Sequence, residues 1–173
     1  LASIGALADL GPFMEKGAVD PELFYENALS AGRLGDVQYA LPFEVVPSLM
    51  FENQSLLRRL KLDEPRASWR WEDFLSLAER ATADTDGNGA LDVFGVAGWS
   101  WLDGAYSNDE LLFDHSGASA VLDQDGVIDA VDFYLRLASL TSGTMVSDFE
   151  SGRVLFAPFS YSSYRAYRYY PYS

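Results

Sequence analysis

Apolar residues recur along the chain with two different spacings, which predict strands and helices in alternation. In residues 37–41 apolar side chains alternate with polar or small ones, and this pattern is typical of a strand. Residues 154–157 are all apolar, which predicts a strand that is buried on both faces. Residues 71–81 have helical spacing instead, with apolar positions at Trp71, Phe74, Leu75, Ala78 and Ala81. The fold class that follows is α/β, with a mixed sheet flanked by helices.

Two apolar runs meet at Pro42, and their relation decides how the chain is organised. Gly35 and Asp36 predict a turn before the first run, because both residue types tolerate a left-handed backbone. Pro42 ends regular strand pairing, since it has no N–H to donate. The second run covers residues 45–51. The two runs are either two strands of one sheet or one segment that crosses between two lobes.

Further helices are predicted from capping residues and from helical spacing. One begins at Asp20 and Pro21, one covers 53–62, and one opens at 108–110 and continues to 113. A last helix follows Gly126, and its predicted apolar face consists of Val127, Val131, Tyr134, Leu135 and Ala138. Residues 98–106 are predicted to form a glycine-bounded loop, and Pro158 is predicted to end the last strand.

Composition and charge narrow the range of functions. The 173-residue chain has 49% hydrophobic and 22% charged residues, which is enough apolar material for a core. Its net charge of −14 argues against nucleic acids and anionic membranes as partners, because both require cationic surfaces. The sequence contains no cysteine, so neither disulfides nor thiolate chemistry is expected. No apolar run is long enough to span a bilayer, so direct membrane insertion of this segment is not expected.

Residues 84–92 have the oxygen-ligand spacing of the first part of a calcium loop. The candidate ligands are Asp84, Asp86, Asn88 and Asp92. The twelfth position, which should carry a bidentate Glu, is Gly95. The segment is therefore either a weak calcium site or a polar turn without an ion, and no other cofactor is expected. With His115 as the only histidine and no cysteine, a zinc site is not expected either.

Aromatic residues cluster in two places that follow predicted strands. The first cluster contains Trp99, Trp101, Asp103 and Tyr106, and the second contains Ser160, Tyr161 and Tyr164. Aromatic faces pack against the C–H faces of sugars, while hydroxyls and carboxylates fix the orientation of a ligand. The alternative for the first cluster is that one Trp fills the core and the other packs on the surface. The alternative for the second is packing of the rings between lobes.

Four motifs occur in the order found in one family. They are Tyr-Ala-Leu-Pro at 39–42 with an apolar run into Asn53 and a Leu pair at 56–57, Trp-Glu-Asp-Phe-Leu at 71–75, the Asp/Gly turn at 84–89 leading to Phe-Gly at 94–95, and Phe-Glu-Ser-Gly-Arg-Val-Leu-Phe at 149–156. In these motifs the chain resembles the extracellular solute-binding proteins of ABC importers, of the maltose-binding type. It departs from the family pattern at Glu52, where Tyr usually precedes Asn53, and at Arg70, where a helix-capping Thr is usual.

The resemblance implies a fold and a function. The fold would be that of type II periplasmic binding proteins, with 1–42 as part of a first lobe leading into the crossing and 43–173 as the second lobe. The chain would be an internal portion of a longer protein. That protein would be periplasmic or extracellular, with any lipid anchor supplied by a segment outside this chain. It would hold a sugar or oligosaccharide in an interlobe cleft and deliver it to the membrane permease of the transporter.

The resemblance and the aromatic clusters together predict the ligand contacts. These are Glu44, Trp99, Trp101, Asp103, Tyr106, Ser160, Tyr161 and Tyr164, with no catalytic residue among them. Amino acids, polyamines and metal chelates are other possible solutes. A glycoside hydrolase is an alternative and would use a pair of carboxylates such as Glu44 and Asp103, roughly 5–9.5 Å apart. A calcium-stabilised carbohydrate-binding module is another alternative, and it would have an all-β pattern.

Overall fold

The structure is a computed structural model that describes residues 1–114, 117–142 and 145–163. The chain forms two compact units, Leu1–Val46 and Pro47–Ser173. The sequence placed the division between lobes at 42 and 43, and the assignment of the two units to lobes stays a prediction. Each unit is described by itself.

The first unit contains short elements. Its helices are α1 (Gly11–Glu15) and α2 (Glu26–Ser30), and its strands are β1 (Arg33–Leu34) and β2 (Val37–Gln38). The two strands pair antiparallel around the turn at Gly35 and Asp36, where Gly35 has φ of 60°. The predicted turn is therefore confirmed. The strand is shorter than its apolar pattern, because the N–H groups of Tyr39 and Ala40 both donate to the carbonyl of Gly32 and not to a ladder.

The helix predicted to begin at Asp20 and Pro21 is only a single 3-10 turn, Pro21–Leu23. The Asp20 carboxylate does cap it by accepting the N–H of Glu22 at 3.0 Å. Phe24 then has an extended backbone, with φ of −110° and ψ of 150°, which separates this turn from α2. The cap was predicted correctly, whereas the continuous helix was not.

The second unit is built on a three-stranded sheet in the order β3-β5-β4. The strands are β3 (Ser48–Glu52), β4 (Phe94–Val96) and β5 (Val154–Ser160). Strand β5 lies in the centre, antiparallel to β3 and parallel to β4. Since β2 pairs only with β1, the two apolar runs around Pro42 are not two strands of one sheet.

Strand β5 continues past Pro158, contrary to the prediction. Pro158 lies opposite Met50 in the antiparallel ladder with β3. The parallel ladder with β4 reaches only to Phe156, so no strand requires an N–H from Pro158 on that side. A proline in a central strand is tolerated here because one of the two ladders has already ended.

Helices cover the sheet in the second unit. They are α3 (Gln54–Leu60), α4 (Trp71–Ala81), α5 (Trp101–Ser107), α6 (Asp125–Leu137) and α7 (Met145–Glu150). The side chain of Asn53 caps α3 by accepting the N–H of Leu56 at 2.9 Å. Helix α4 starts without a capping Thr, and there the carboxylate of Asp73 accepts the N–H of Arg70 at 2.9 Å. Both helices lie where the sequence predicts them.

An aromatic cluster joins α4, α6 and β5. The ring of Phe74 lies 5.3 Å from that of Phe156 and 6.1 Å from that of Phe133. Trp71 stacks on Phe133 at 4.7 Å and donates its Nε1–H to Ser107 Oγ at 3.1 Å. The helical spacing of 71–81 therefore corresponds to the face that packs on the core, as predicted.

Two predictions for the middle of the chain are wrong. Residues 101–107 are helix α5 and not a loop, and no helix opens at 108–110. Asp109 has φ of 59°, a left-handed conformation that a continuing helix does not allow. Residues 110–114 follow as an extended segment in which Phe113 forms an isolated bridge with Ala120.

The buried face of α6 differs from the predicted one. It consists of Val127, Ala130, Phe133 and Leu137. The residues predicted to be apolar neighbours on that face, Val131, Tyr134 and Leu135, are exposed. The sequence pattern could not separate the two, because apolar residues occupy more than one side of this helix.

We expect Phe133→Ala to destabilise the protein by about 3–5 kcal/mol, because it removes a ring that is 2% exposed and touches three other aromatic residues. Urea denaturation would measure the change. Tyr134→Ala is the matched control on the same helix, since Tyr134 is 37% exposed. Equal losses for the two variants would contradict this account of the core.

We also expect sodium chloride to raise the melting temperature at pH 7. The chain carries a net charge of −14, and two ion pairs join one described residue to another, Arg33–Glu26 and Arg153–Asp148. Salt shortens the range of carboxylate repulsion from roughly 10 Å at 0.1 M to roughly 3 Å at 1 M. Calorimetry at pH 7 and near the isoelectric point of about 4.2 provides the comparison. A rise of the same size at both pH values would refute the electrostatic cause.

Candidate functional site

One edge of the three-stranded sheet brings together most of the predicted site residues. Because β4 and β5 are parallel, their carboxyl ends point to the same edge, and β5 continues from Phe156, where the ladder with β4 ends, to Ser160. Strand β3 is antiparallel to β5 and begins there, with Ser48 opposite Ser160. Loops at the carboxyl ends of strands are where α/β proteins commonly bind ligands. We refer to this region, residues 47–48, 97–107 and 160–163, as the site edge.

The start of α5 is fixed by hydrogen bonds between two side chains. Ser100 Oγ accepts the N–H of Asp103 at 3.3 Å. In return, Asp103 Oδ2 accepts the N–H of Ser100 at 2.8 Å and its hydroxyl at 2.6 Å. This reciprocal arrangement is a capping box. One oxygen of Asp103 is therefore engaged in positioning the helix, and its contact with a ligand stays a prediction.

The two tryptophans of this segment have different surroundings. The ring of Trp99 lies 5.4 Å from that of Phe74 and 6.5 Å from that of Phe133, so it packs against the core. Its Nε1–H is buried and has no acceptor within the described part of the chain. Trp101 is the half-buried first residue of α5. Of the two, Trp101 is the better placed to contact a ligand.

Tyr106 lies at the far end of α5 and is 64% exposed. Leu102, one turn earlier on the same side, is also exposed. The opposite side of α5 packs closely on α6, where a Cβ at Gly104 would lie 3.1 Å from the Cβ of Ala130. This close packing directs Leu102 and Tyr106 away from the core.

The end of β5 supplies the remaining part of the site edge. The N–H of Tyr161 donates to the carbonyl of Pro47 at 2.8 Å, which joins the end of β5 to the start of β3. The Tyr161 side chain is 52% exposed. The hydroxyls of Ser160 and Ser162 are 2.7 Å apart and exposed enough to exchange this bond for one to a ligand. Tyr164 and His115 lie outside the described residues.

Glu44 is the one predicted contact in the first unit. It is exposed and lines a shallow cavity of about 370 Å³ together with Ala28, Gly32 and Leu41. Four other predicted contacts belong to the Pro47–Ser173 unit, whereas Glu44 belongs to the Leu1–Val46 unit. The four are Trp101, Tyr106, Ser160 and Tyr161. The role of Glu44 as a ligand contact stays a prediction.

Sequence reasoning missed Ser100 and Ser162. The signal for Ser100 was available, since Ser-x-x-Asp before a helix is the pattern of a capping box. Ser162 carries no such signal, because its hydroxyl becomes significant only through its position beside Ser160.

The site edge offers aromatic rings beside hydroxyl groups. Such a surface can stack on an apolar face of a solute and hydrogen-bond to its polar groups. Its one carboxylate, Asp103, accepts hydrogen bonds from Ser100 in the helix cap. The described chemistry suits binding better than acid–base catalysis.

The calcium-like segment forms a loop held by its own hydrogen bonds. Carboxylate oxygens of Asp84, Asp86 and Asp92 lie within 4.8 Å of one another. Asp84 accepts backbone N–H groups from Gly87 and Gly89, both at 2.7 Å, and Asp92 accepts the N–H and hydroxyl of Thr85. Asp86 accepts the backbone N–H and the side-chain amide of Asn88. The three carboxylates suit a hard cation, but this network also gives each of them a structural role. Calcium binding by Asp84, Asp86, Asn88 and Asp92 stays a prediction.

Solved structures share the architecture of this chain at low sequence identity. An ABC substrate-binding protein of Listeria monocytogenes, in complex with cycloalternan, is 19% identical with a TM-score of 0.77, over 99% of this chain and 47% of that protein. The sugar-binding protein MalE of Xanthomonas citri is 16% identical with a TM-score of 0.77, over 97% and 45%. UgpB of Mycobacterium tuberculosis, in complex with glycerophosphocholine, is 16% identical with a TM-score of 0.73, over 99% and 45%. The chain spans about half the length of these relatives.

These similarities establish the fold, which is that of type II periplasmic binding proteins, as the sequence predicted. Residues 1–169 match the family of bacterial extracellular solute-binding proteins, and the chain belongs to that family. The family consists of binding proteins and not of enzymes, so the hydrolase alternative loses its support. The mixed α/β fold likewise differs from the all-β pattern of a carbohydrate-binding module. Within the described residues, no helix combines the length and apolar character needed to cross a membrane.

We expect the Asp84 carboxylate to stabilise the 84–92 loop in a pH-dependent way. The backbone N–H of Gly89, and then that of Gly87, lower the pKa of Asp84 below its ordinary value, an effect that partial desolvation opposes. Because this pKa is lowered in the folded state, the contribution is complete above the ordinary pKa and disappears as pH falls through the folded value. Wild-type protein should therefore be more stable than Asp84→Asn at neutral pH, and the difference should vanish in acid.

Urea denaturation of both proteins at several pH values measures this difference. Asp123→Asn is the matched control, because Asp123 is exposed and its carboxylate accepts no hydrogen bond from a described residue. A stability difference for Asp84→Asn that is independent of pH would show that the charge of the carboxylate is not the cause.

Proposed function

We propose that this protein is the solute-binding component of an ABC importer and that its solute is a neutral sugar or oligosaccharide. The observation that carries the proposal is the site edge, where the exposed rings of Tyr106 and Tyr161 and the half-buried ring of Trp101 accompany the hydroxyls of Ser160 and Ser162. Membership of the bacterial extracellular solute-binding family supports the transport role.

The charge of the chain favours a neutral solute over an anionic one. The net charge of −14 repels anions unless the local charge is reversed, and the site edge contains no arginine or lysine among its described residues. Two relatives support the class of solute, since one was solved with cycloalternan and another is a sugar-binding protein. UgpB, solved with glycerophosphocholine, shows that the same fold also accommodates a zwitterionic solute.

The proposed mechanism is binding and release without covalent chemistry. The solute would stack on the aromatic rings and exchange hydrogen bonds with the serine hydroxyls, and a binding-dependent change of conformation would signal the loaded state to a membrane permease. The protein would act outside the cytoplasm, as the name of its family indicates, and a lipid anchor would retain it at the cell surface. The permease and the anchor are parts of the proposal.

The test is a thermal-shift and calorimetric screen of the intact protein. Probes are maltotriose, mannobiose and cycloalternan, with glycerophosphocholine, amino acids and calcium as comparisons. A sugar present at 100 times its Kd should stabilise the folded state by about 2.7 kcal/mol, and no product should form. Trp101→Ala should weaken binding at least tenfold, which corresponds to about 1.4 kcal/mol. Tyr134→Ala, on the exposed side of α6, should leave the Kd unchanged.

The outcomes separate the parts of the proposal. Stabilisation by glycerophosphocholine or an amino acid alone would overturn the sugar assignment and keep the binding function. If a sugar stabilises Trp101→Ala as much as it stabilises the wild type, the solute binds elsewhere than at the site edge. Consumption of a glycoside would overturn the binding function itself.

A further inference from the structure

A second cavity, of about 220 Å³, lies in the Pro47–Ser173 unit at the carboxyl end of β3. Its lining includes Met50, Glu52, Glu64, Pro65 and Trp69. Glu52 is the last residue of β3 and lies opposite Phe156, whereas Ser48 at the site edge lies opposite Ser160. Four residues of extended strand separate the two ends by about 13 Å. The cavity is therefore separated along β3 from the Ser48 and Ser160 part of the site edge, while Phe156, which also lines it, pairs with Val96 just before residue 97.

The aromatic wall of this cavity packs on the core of the unit. The ring of Trp69 lies 5.5 Å from that of Phe74 and 5.4 Å from that of Phe156, so the core holds it in place. The same tryptophan also lines an adjoining cleft of about 460 Å³, together with Glu64 and Pro65. A fixed indole with Met50 and Pro65 around it is a surface suited to an apolar stem or to the face of a cation.

The cavity contains a carboxylate without a partner. Glu52 is half-buried, and its side chain forms no hydrogen bond or ion pair with any residue in 1–114, 117–142 or 145–163. Burial, and then repulsion from Glu64, raise the pKa of Glu52 above its ordinary value. Arg66 lines the cavity as well, yet it forms no ion pair with either glutamate. A partly desolvated carboxylate in this situation gains from a cation that enters the cavity.

We propose that this cavity binds an organic cation, an alkylammonium or guanidinium group that places its charge between Glu52 and Glu64 and its apolar stem against Trp69. The required chemistry is one positive charge on a short aliphatic chain. Two sources supply it, a free amine or a lysine or arginine side chain of a partner polypeptide. The proposal does not depend on the sugar-binding function.

The test follows the Trp69 indole N–H by NMR while n-butylammonium chloride is added to the intact protein. Trp69→Phe assigns the signal among the four tryptophans. We expect a saturable shift in the millimolar range, and no saturable shift with 1-butanol, which has a similar shape without the charge. Glu52→Gln should weaken binding at least tenfold and should leave the melting temperature at pH 7 equal or higher, because it removes an unpaired charge.

The matched control is Glu79→Gln, which removes the same charge from an exposed position on α4. It should leave the affinity within twofold of wild type. Equal weakening by both variants would show that the net charge of −14 attracts the cation without a site, and a titration without saturation would overturn the proposal as well. Glu64→Gln, at an exposed residue, provides a second variant and should also weaken binding.

The source of the cation is resolved by comparing n-butylammonium with a capped Ala-Lys-Ala peptide. A peptide that binds at least tenfold tighter than n-butylammonium would identify the site as a docking point for a basic side chain of a polypeptide. Equal or weaker binding of the peptide would identify a free amine. If Glu52→Gln weakens the binding of both the amine and the peptide, the result supports the proposal. If the variant binds both ligands as tightly as the wild type does, the proposal is overturned.

Discussion

The central strand β5 is the constraint on which the second unit depends. Its residues 154–157 are fully buried and pair with β3 on one side and β4 on the other. The parallel pairing with β4 brings the ends of β4 and β5 to one edge, and the antiparallel pairing with β3 brings the start of β3 there too. The aromatic cluster around Phe156 then holds α4 and α6 against the same strand. The site edge is therefore a consequence of strand order.

Local hydrogen bonds determine where the helices start after the strands. Ser100 and Asp103 cap each other at the start of α5, so the helix starts directly after the strand and carries Trp101 and Tyr106 at the site edge. Asn53 caps α3 by accepting the N–H of Leu56, and Asp73 fixes the start of α4 by accepting the N–H of Arg70. Helix α4 keeps one half of a capping box: Asp73 accepts the N–H of Arg70, whereas the Arg70 side chain has no acceptor for the N–H of Asp73.

The carboxylates of this acidic protein have two opposite environments. Asp84 accepts several backbone N–H groups, which favour its charged form and order an exposed loop. Glu52 accepts no hydrogen bond from a described residue, and burial together with repulsion from Glu64 raises its pKa, so its charged form is less favoured than that of an ordinary carboxylate. The same residue chemistry thus supports structure in one place and creates a candidate binding cavity in another. The net charge of the chain predicts neither environment, because each depends on the groups that surround the individual carboxylate.

The sequence by itself determined the elements whose signals are local: the turn at Gly35, the starts of α3 and α4, the helical face of 71–81 and the buried run 154–157. Its motif order also identified the family. Only the tertiary structure decided that β5 continues through Pro158, that α6 buries Phe133 and not Leu135, and that Trp99 packs on the core. These outcomes depend on strands and helices distant in sequence, and short-range periodicity carries no information about which partner an apolar or polar group will meet. The surroundings of Glu52 belong to the same group, because its lack of a hydrogen-bond partner among the described residues depends on side chains distant in sequence.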